Sequence, residues 1–338
     1  MLMEECGVTP HAAVHRQDST SAAETMNLTQ LRYLRGIAEQ GFNISRAATV
    51  LHTSQPGISK QIQLLERELG VDILVRRGNR VVGVTEPGQA ILNVARRMLG
   101  DAEILRRIGE EFTQRKKRLV VATTHIYARY VLRRVIKDFM RLHPDVQLTL
   151  RQGNPAQIAQ WVAAGDADAG VSSEPPDPIR SIVLLPCSSL QRSVITRTGH
   201  PLLKEKRLTL ARLASYPLLT LDQSFPGGAA VLRAFGKADI EPNIVLSAID
   251  ADVIKTYVEL GLGLAILPSI AYEPARDRRL AAIDASHLFE PTITHIAIRR
   301  DSYLRDYLYD FILMIAPEWD RGAIDRTVKI RSAEAAAP

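Results

Sequence analysis

The ten residues TSQPGISKQI at positions 53–62 constrain the fold of this 338-residue chain more than any other stretch. Apolar residues recur around them at helical spacing, yet the stretch contains a proline and a glycine, which both destabilise the interior of a helix. The conflict is resolved if a helix begins here, because Thr53 or Ser54 can then act as the N-cap and Pro56 falls in the first turn. The stretch therefore predicts a helix start followed by an exposed polar face.

Two shorter helical segments precede this start. Apolar residues recur at helical spacing over positions 28–39 and 44–51, and Gly41 lies between the two segments. The segment 44–51 and the helix after it, joined by a tight turn, would form a helix-turn-helix whose second helix enters the major groove of DNA. On the buried side of that helix we expect Ile58, Ile62, Leu65 and Leu69. On its DNA side we expect Thr53, Ser54, Gln55, Pro56, Ser59, Lys60 and Gln63.

A basic hairpin is predicted after this helix. Two short β-branched runs flank the sequence RRGNR, which is typical of the wing of a winged helix. Arg76, Arg77 and Arg80 would then hold phosphates or reach the minor groove, whereas an ordinary solvated hairpin is the alternative. Residues 26–118 carry 16 Lys and Arg against 9 Asp and Glu, and residues 119–338 are nearly neutral. This balance favours a nucleic-acid-binding module, although a solvated basic face would give the same charge.

A long helix is predicted beyond the wing. Thr85-Glu86-Pro87-Gly88 can cap it, and a run of basic residues at 114–118 offers a hinge at its end. Apolar residues repeat along it about every 3.5 positions, which is typical of a dimerising coiled coil. A dimer is also what palindromic DNA half-sites require. The apolar positions are Ile91, Val94, Met98, Leu105, Ile108 and Phe112.

The remainder of the chain alternates strands with helices, which predicts βαβ units and mostly parallel sheets. The pattern occurs once in each half, so we expect two α/β lobes with a cleft between them. The chain would cross between the lobes near 193–196 and 294–298. In the first half, strands are expected at 118–124, 146–153 and 167–173 and helices at 127–142 and 155–164. In the second half, strands are expected at 216–221, 243–248 and 264–268 and helices at 229–238 and 252–260.

Hydroxyl side chains stand where strands of the first lobe end. Thr123 and Thr124 precede a helix, and Ser172 and Ser173 end a later strand. A helix N-terminus offers free N–H groups and the positive end of a dipole, which favour a bound anion. These positions predict a small anion site in the cleft. Simple capping of the following helices is the alternative role.

This order of segments resembles that of the LysR-type transcriptional regulators, and the stretch TSQPGISKQIQLLERELG carries much of the likeness. Within the body, ATTHIYARY, QGNPAQIAQ, LPC, YPLLT, DADVIKTYVELGLGLAIL and LRDYLYDFI resemble the CysB-like branch, which controls sulfur assimilation in bacteria. The resemblance runs from Met26 to about Arg331. It implies an α/β fold class with an N-terminal winged helix-turn-helix, a long linker helix and a C-terminal two-lobed effector domain of the periplasmic-binding type. The expected boundaries are a disordered leader at 1–25, the DNA-binding domain at 26–84, the linker and dimerisation helix at 85–116, the effector domain at 117–325 and a tail at 326–338.

The resemblance also implies effector contacts. Thr124 and Ser173 keep the hydroxyls that bind sulfate or a related small effector in this branch. The branch typically has Thr and Gln where this chain has Ile126 and Tyr127, and Thr where it has Pro226. These departures make the expected pocket more apolar. We therefore expect an effector larger than sulfate, such as a sulfonate, an acetylated amino acid or an adenylylated sulfur intermediate.

The partners that the resemblance implies are double-stranded DNA at promoter operators, RNA polymerase, a small anionic or sulfur-containing effector, and further copies of the chain in a homotetramer built as a dimer of dimers. We expect no cofactor, no metal and no membrane association, because metal-ligand spacing is missing, Gly261 and Gly263 lack the third glycine of a dinucleotide loop, and no apolar run reaches 18 residues. The chain has two cysteines, and its N-terminal segment lacks the pattern of a signal peptide. Both features predict a location in the cytoplasm.

The expected function is that of an activator of genes for sulfate assimilation and cysteine biosynthesis, and regulation of alkanesulfonate use is the alternative. A more remote alternative is a solute-binding or enzymatic protein with an incidental basic module. An enzyme would need Thr124 as nucleophile, His125 as base and Asp250 or Asp252 as its orienting group, and no nucleophile-elbow pattern accompanies them. The sequence therefore favours a regulator that is not an enzyme.

Overall fold

The computed structural model describes residues 26–78, 80–112, 117–175, 177–300 and 302–329. The expected leader at 1–25 and the last residues of the expected tail lie outside these ranges. The chain divides into two compact units, Met1–Ala95 and Arg96–Pro338. Among the described residues, no helix combines the length and the apolar composition that crossing a membrane requires.

The first unit contains three helices and a hairpin. Each helix begins at a side-chain cap: Asn27 forms a capping box with Gln30, and Asn43 and Ser54 accept hydrogen bonds from backbone N–H groups one turn on. The predicted helix start in TSQPG is confirmed, with Ser54 as the cap. The elements are α1 (Leu28–Glu39), α2 (Ile44–Val50), α3 (Gln55–Leu69), β1 (Leu74–Arg77) and the antiparallel β2 (Arg80–Val84).

Most of the predicted buried side of α3 is confirmed. Ile58, Ile62 and Leu65 are almost completely buried, but Leu69 is 39% exposed, so that part of the prediction is wrong. Leu69 is the last helical residue, and the chain turns away at Gly70, which has a left-handed backbone with φ of 69°. A glycine adopts this conformation without the steric penalty of a side chain. Helical spacing alone could not show that the helix ends before anything covers Leu69.

Helix α4 (Glu86–Phe112) is a single helix of 27 residues that continues from the first unit into the second. Its N-terminus is fixed by the Thr85 hydroxyl, which accepts from the Gly88 N–H at 3.0 Å and donates to the Asp72 carbonyl at 2.6 Å. The helix buries Leu92, Ala95 and Leu99, whereas Val94, Met98 and Leu105 of the predicted repeat are exposed. These three positions of the repeat therefore lie on an exposed face of α4.

The second unit contains two five-stranded sheets, one in each lobe. In lobe 1 the order is β4-β3-β5-β12-β6, where β3, β4 and β5 are parallel and β12 is antiparallel to both of its neighbours. A π-helical turn at Tyr127–Val131 leads from β3 into α5, where a continuous α-helix was expected. The lobe consists of β3 (Lys117–Thr123), α5 (Leu132–Leu142), β4 (Val146–Gln152), α6 (Pro155–Ala164), β5 (Ala169–Ser173), β6 (Ile182–Leu190), β12 (Thr292–Arg299), α10 (Asp306–Ile315) and α11 (Arg321–Lys329).

Lobe 2 has the sheet order β11-β7-β10-β8-β9, with β8, β9 and β10 parallel and β7 antiparallel to β10 and β11. Two turns of 3₁₀ helix, at Pro201–Lys204 and Ser269–Ala271, accompany the sheet. The lobe consists of β7 (Arg192–Arg197), α7 (Leu210–Ala214), β8 (Leu218–Leu221), α8 (Pro226–Lys237), β9 (Ile244–Ala248), α9 (Ala251–Glu259), β10 (Leu264–Pro268) and β11 (Leu280–Asp284).

The chain crosses between the lobes earlier than the sequence suggested. It leaves lobe 1 at Gln191, between β6 and β7, and returns over residues 285–291, before β12. The expected crossings at 193–196 and 294–298 are instead central parts of strands that pair on both sides within one sheet. Arg192 is the first residue of β7, which enters lobe 2, and Thr292 is the first residue of β12, which returns to lobe 1. Both residues therefore lie at the junction of the lobes.

The core of lobe 1 is closed by the C-terminal helices. Phe139 of α5 meets Phe311 of α10 edge-to-face, with ring centroids 5.3 Å apart. Val328 of α11 is fully buried in the same core, so helical structure continues past residue 325, where the effector domain was expected to end. Tyr307 and Phe311 are buried as an amphipathic helix requires, whereas Tyr303 precedes the helix and is exposed.

Candidate DNA-binding surface and effector cleft

The first turn of α3 presents a polar surface. Ser54, Gln55, Pro56, Lys60 and Gln63 are exposed, while Thr53 and Ser59 are partly buried. The Ser54 hydroxyl accepts from the Gly57 N–H at 3.2 Å, and a side chain at Gly57 would begin 3.0 Å from that hydroxyl. The Ser45 hydroxyl of α2 donates to the Gln55 amide oxygen at 2.9 Å, which leaves the amide NH₂ of Gln55 for other partners. The expected DNA-reading residues of the helix thus share one exposed surface.

The three arginines of the wing have different environments. Arg77 and Arg80 are exposed and face each other across the hairpin. Arg76 instead donates to the Glu66 carboxylate of α3 through both terminal nitrogens, at 3.2 and 2.8 Å. This ion pair fastens the wing to α3, and the Arg76 side chain is still 36% exposed. The contact of Arg76, Arg77 and Arg80 with DNA stays a prediction.

Glu66 is the residue that the sequence analysis missed here. It is buried, and one of its oxygens also accepts from the N–H groups of Ile73 and Leu74 at 2.9 and 3.1 Å. Burial by itself would raise the pKa of Glu66, but the Arg76 guanidinium and the two N–H groups lower that pKa below its ordinary value. Glu66 thus organises the turn between α3 and β1. A glutamate beside Leu65 on the buried side of a helix was the available signal.

Four buried hydroxyl side chains lie where β3 and β5 of lobe 1 end. Thr124 is 4% exposed, and its hydroxyl is a long 3.5 Å from the Tyr127 N–H. Thr123 is used internally, since its hydroxyl donates to the Val171 carbonyl at 2.9 Å. Ser172 donates to the Ser173 carbonyl, while the Ser173 hydroxyl has no hydrogen-bond partner among the described residues. Thr124 is therefore a weak cap, and Ser173 is not a cap.

The two residues that depart from the branch pattern in lobe 1 have separate neighbours. Ile126 is buried within an apolar cluster that otherwise belongs to lobe 2, including Leu219 and Ala251. Tyr127 is buried, its phenol oxygen accepts from the Thr294 hydroxyl at 3.1 Å, and burial raises the pKa of Tyr127 to about 12. Ile126 thus packs the lobes together, while Tyr127 keeps a protonated hydroxyl in the cleft region.

The third position where the branch pattern is changed lies at the N-terminus of α8 in lobe 2. Pro226 is the first helical residue, and the cap residue Phe225 offers no side-chain hydrogen bond. Gly228 is required by space, because a side chain there would begin 2.2 Å from the Leu221 carbonyl oxygen. Among the described residues, the N–H groups of Gly227 and Gly228 have no hydrogen-bond partner. This helix start therefore presents free N–H donors at the third position where the branch pattern is changed.

Arg192 is a second residue that the sequence analysis missed. It is 1% exposed at the head of β7, and one terminal nitrogen donates to the Thr292 hydroxyl at 2.5 Å. Its Nε is buried without a partner. The other terminal nitrogen lies 3.4 Å from where a side chain on Gly227 would begin, so the guanidinium adjoins the start of α8. The only sign of this role in the sequence was an arginine directly before the strand-forming run SVIT.

Ion pairs connect the two lobes beside this region. Asp252 of α9 accepts from the Tyr130 hydroxyl at 2.6 Å and forms an ion pair with Arg129, both from the π-helical turn of lobe 1. Arg133 pairs with Glu273 at 3.0 Å. We call these contacts the interlobe latch. It borders a pocket of about 650 Å³ whose lining includes Arg129, Arg133 and Asp252.

The arrangement required for an enzyme is not formed by these residues. Asp250 caps α9 by accepting from the Asp252 N–H at 2.8 Å, and His125 is 4.0 Å from Asp250. Asp252 belongs to the interlobe latch, so neither aspartate orients His125 toward Thr124. Within the described ranges, no group of His, Cys, Asp and Glu side chains could hold a metal ion.

Comparison with known proteins identifies both parts of the chain. Residues 28–89 match the family described as bacterial regulatory helix-turn-helix protein, lysR family, and residues 113–320 match the LysR substrate binding domain. The chain is 49% identical over 300 residues to the HTH-type transcriptional regulator SsuR of Burkholderia cenocepacia, covering 88% of this chain and 97% of SsuR. It is 43% identical over 305 residues to the regulator CysB of the same organism, covering 90% and 97%. The crystal structure of the cofactor-binding domain of the Cbl transcriptional regulator superposes with a TM-score of 0.61 at 35% identity, covering 64% of this chain and 95% of that domain.

Proposed function

Because the chain belongs to the LysR family of transcriptional regulators, we propose that it controls genes of sulfur assimilation and cysteine biosynthesis in response to a small sulfur-containing anion bound between its lobes. The chain is a DNA-binding regulator of the sulfur-related branch and not an enzyme. The observation that carries the proposal is the set of polar groups at the ends of elements in the two lobes. Lobe 1 has the Thr124 and Ser173 hydroxyls at the ends of β3 and β5, and lobe 2 has the free N–H groups of Gly227 and Gly228 at the start of α8.

On DNA, we propose that α3 reads the major groove through Gln55, Ser59, Lys60 and Gln63. Thr53, Ser54 and Pro56 fix the start of this helix close to the DNA backbone, and Arg76, Arg77 and Arg80 of the wing contact phosphates. Contacts of this kind release counterions, so promoter binding should weaken steeply as salt is raised. Binding to operators lets the regulator act on RNA polymerase at the promoter, as an activator.

The proposed assembly is a homotetramer, a dimer of dimers, in the cytoplasm. The apolar side chains Val94, Met98 and Leu105 lie exposed along α4, and a partner copy of the same helix would bury them. Effector binding would change the arrangement of the lobes, and through the paired α4 helices the spacing or bend of the bound DNA. Such coupling requires the effector to bind one arrangement more tightly than the other.

A second candidate function is control of alkanesulfonate use. The chain shares more residues with SsuR than with CysB of the same organism, which leaves room for an effector different from that of CysB. Ile126, Tyr127 and Pro226 also replace the polar residues expected for sulfate in the CysB-like branch. Both observations favour an organic sulfur anion such as a sulfonate.

The experiment that tests the proposal is calorimetry on the full-length protein with sulfate, thiosulfate, O-acetylserine, taurine, other alkanesulfonates and adenosine phosphosulfate. Tight binding of sulfate or O-acetylserine would identify a general regulator of cysteine biosynthesis. Binding of sulfonates alone would identify a regulator of organosulfur use. If none of these compounds binds, a sulfur-responsive role is excluded.

A further inference from the structure

Arg192 is a buried charge without a counter-ion. Its five N–H donors make one hydrogen bond, to the neutral Thr292 hydroxyl, and no described carboxylate pairs with it. Burial lowers the pKa of Arg192 to about 10, which still leaves the guanidinium positive at neutral pH. A buried charge is unfavourable unless it is paired and hydrogen-bonded. The ligand-free protein therefore contains an unsatisfied positive site at the junction of its lobes.

The surroundings add positive charge instead of compensating it. The guanidinium lies against Gly227 in the first turn of α8, a 12-residue helix that has neither a capping side chain nor an acidic residue in that turn. The N-terminus of a helix carries about half a positive charge. The ionisable groups that act electrostatically on Arg192 are the Tyr127 phenol, which is protonated at neutral pH, and the cationic Arg233. The repulsion between the Arg192 cation and the positive end of α8 is relieved when an anion binds to both of them.

The donors match a tetrahedral oxyanion. The Arg192 fork and the free N–H groups of Gly227 and Gly228 come from two elements of lobe 2. Across the junction, the Thr294–Tyr127 hydrogen bond lies on lobe 1, so a ligand here has polar neighbours from both lobes. Three oxygens of a sulfonate or sulfate could share these donors, and arginine binds planar pairs of such oxygens in a bidentate manner.

We propose that Arg192 binds the anionic –SO₃⁻ group of the effector together with the Gly227 and Gly228 N–H groups. This inference rests on the proposed function, because it assumes that the cleft takes a sulfur effector. If Arg192 binds this group, the effector must carry a full negative charge, and the right size and polarity alone are not enough for binding. A neutral analogue of the same shape should therefore not bind.

The test uses the full-length protein and compares ethanesulfonate, sulfate and phosphate with the neutral methanesulfonamide, at constant ionic strength. Arg192→Met removes the charge and keeps the length, and Arg192→Lys keeps the charge and loses the fork. Arg197→Met, at the other end of the same strand and exposed, is the matched control. Calorimetry gives the dissociation constants, and the melting temperature is measured with and without ligand.

We expect wild type and Arg197→Met to bind the anion and not methanesulfonamide. Arg192→Met should bind the anion roughly 30-fold more weakly or worse, since truncating one partner of a buried charge pair has effects of this size. Its ligand-free melting temperature should be unchanged or higher, because an unpaired buried cation has been removed. Arg192→Lys should bind with intermediate affinity.

Two results would overturn the inference: an unchanged dissociation constant in Arg192→Met, or a lower ligand-free melting temperature in both Arg192 variants with no effect of Arg192→Lys on binding. In the first case sulfur-anion binding by wild type would still support the proposed function. If wild type binds phosphate but no sulfur anion, and Arg192→Met loses that binding, the proposed function fails while the role of Arg192 stands. If wild type binds none of these oxyanions, both fail.

Discussion

At the residue scale, neighbouring arginines of one hairpin have different roles. Arg76 neutralises the buried Glu66 carboxylate, whereas Arg77 is exposed toward solvent. We expect Arg76→Ala to lower the free energy of unfolding of the N-terminal unit by about 1–3 kcal/mol, because it leaves a buried carboxylate with fewer partners. We expect the lower end of this range, because the Arg76 side chain is 36% exposed and solvent screens its ion pair with Glu66.

The matched change is Arg77→Ala, which should leave the free energy of unfolding within about 0.5 kcal/mol of wild type. It should weaken binding to DNA of any sequence and reduce the dependence of that binding on salt. Urea denaturation and fluorescence anisotropy on a promoter fragment measure the two effects. Equal losses of stability in both variants would contradict the division of roles.

The pKa of Glu66 gives a pH dependence with a definite sign. The folded state lowers this pKa from its ordinary value of 4.5, so the unfolded state takes up the proton first as acid is added. The stabilising contribution is therefore fully present above about pH 4.5 and is lost as the pH falls through the folded pKa. Wild type should exceed Glu66→Gln in stability at pH 6, and the gap should narrow at pH 4 and below. Urea denaturation across this pH range measures the gap, and a gap that widens in acid would contradict the assignment.

Sequence reasoning was limited at this scale by pairing across the fold. Ser54 could be identified because an N-cap depends on residues within one turn. The Arg76–Glu66 pair depends on how the hairpin folds back onto α3. Arg192 is distinctive because none of the described carboxylates pairs with it, and that property exists only once β7 and α8 have packed together.

At the scale of elements, α4 exposes part of its predicted apolar repeat. Met98 and Leu105 are 38% and 71% exposed, while Leu92 and Leu99 are buried within the chain. We expect Met98→Glu to shift the protein toward a smaller assembly, because a carboxylate would have to be buried between the paired helices. Analytical ultracentrifugation measures the change, and promoter binding should weaken with it.

Asn93→Glu is the control for that change, since Asn93 is an exposed polar residue of the same helix. It introduces the same charge without touching the apolar repeat. The control should keep the wild-type assembly. Identical ultracentrifugation profiles for Met98→Glu and wild type would show that α4 pairs through another face or does not pair.

Elements were predicted best where their signals are local. The range of α6, Pro155–Ala164, was predicted to the residue because Asn154 caps it and Gly165 ends it. The π-helical turn at Tyr127–Val131 was missed, since apolar spacing over five residues does not distinguish it from an α-helix. The lobe crossings were misplaced because a strand's sheet is decided by its hydrogen-bonding neighbours and not by its own sequence.

At the scale of the whole molecule, our proposal requires the effector to alter DNA binding through the arrangement of the two lobes. The π-helical turn contacts both lobes, because Tyr127 bonds to Thr294 of lobe 1 while Arg129 and Tyr130 bond to Asp252 of lobe 2. We therefore expect an effector that displaces Tyr127 to disturb the interlobe latch as well. Lys255 stays paired with Asp277 at 2.9 Å, so a change at Asp252 need not unfold α9.

Asp252→Asn should therefore weaken the coupling between effector binding and promoter binding while it preserves the fold. The change removes the negative charge that pairs with Arg129 but leaves an oxygen that accepts from the Tyr130 hydroxyl. We expect effector affinity to change by no more than about tenfold and the effector-dependent change in promoter affinity to fall by a larger factor. Asp250→Asn is the control, because asparagine also caps helices and Asp250 does not touch Arg129. Anisotropy titrations of promoter DNA with and without saturating effector measure the coupling. If Asp252→Asn keeps the full effector response, the signal reaches the DNA-binding unit by contacts other than the interlobe latch.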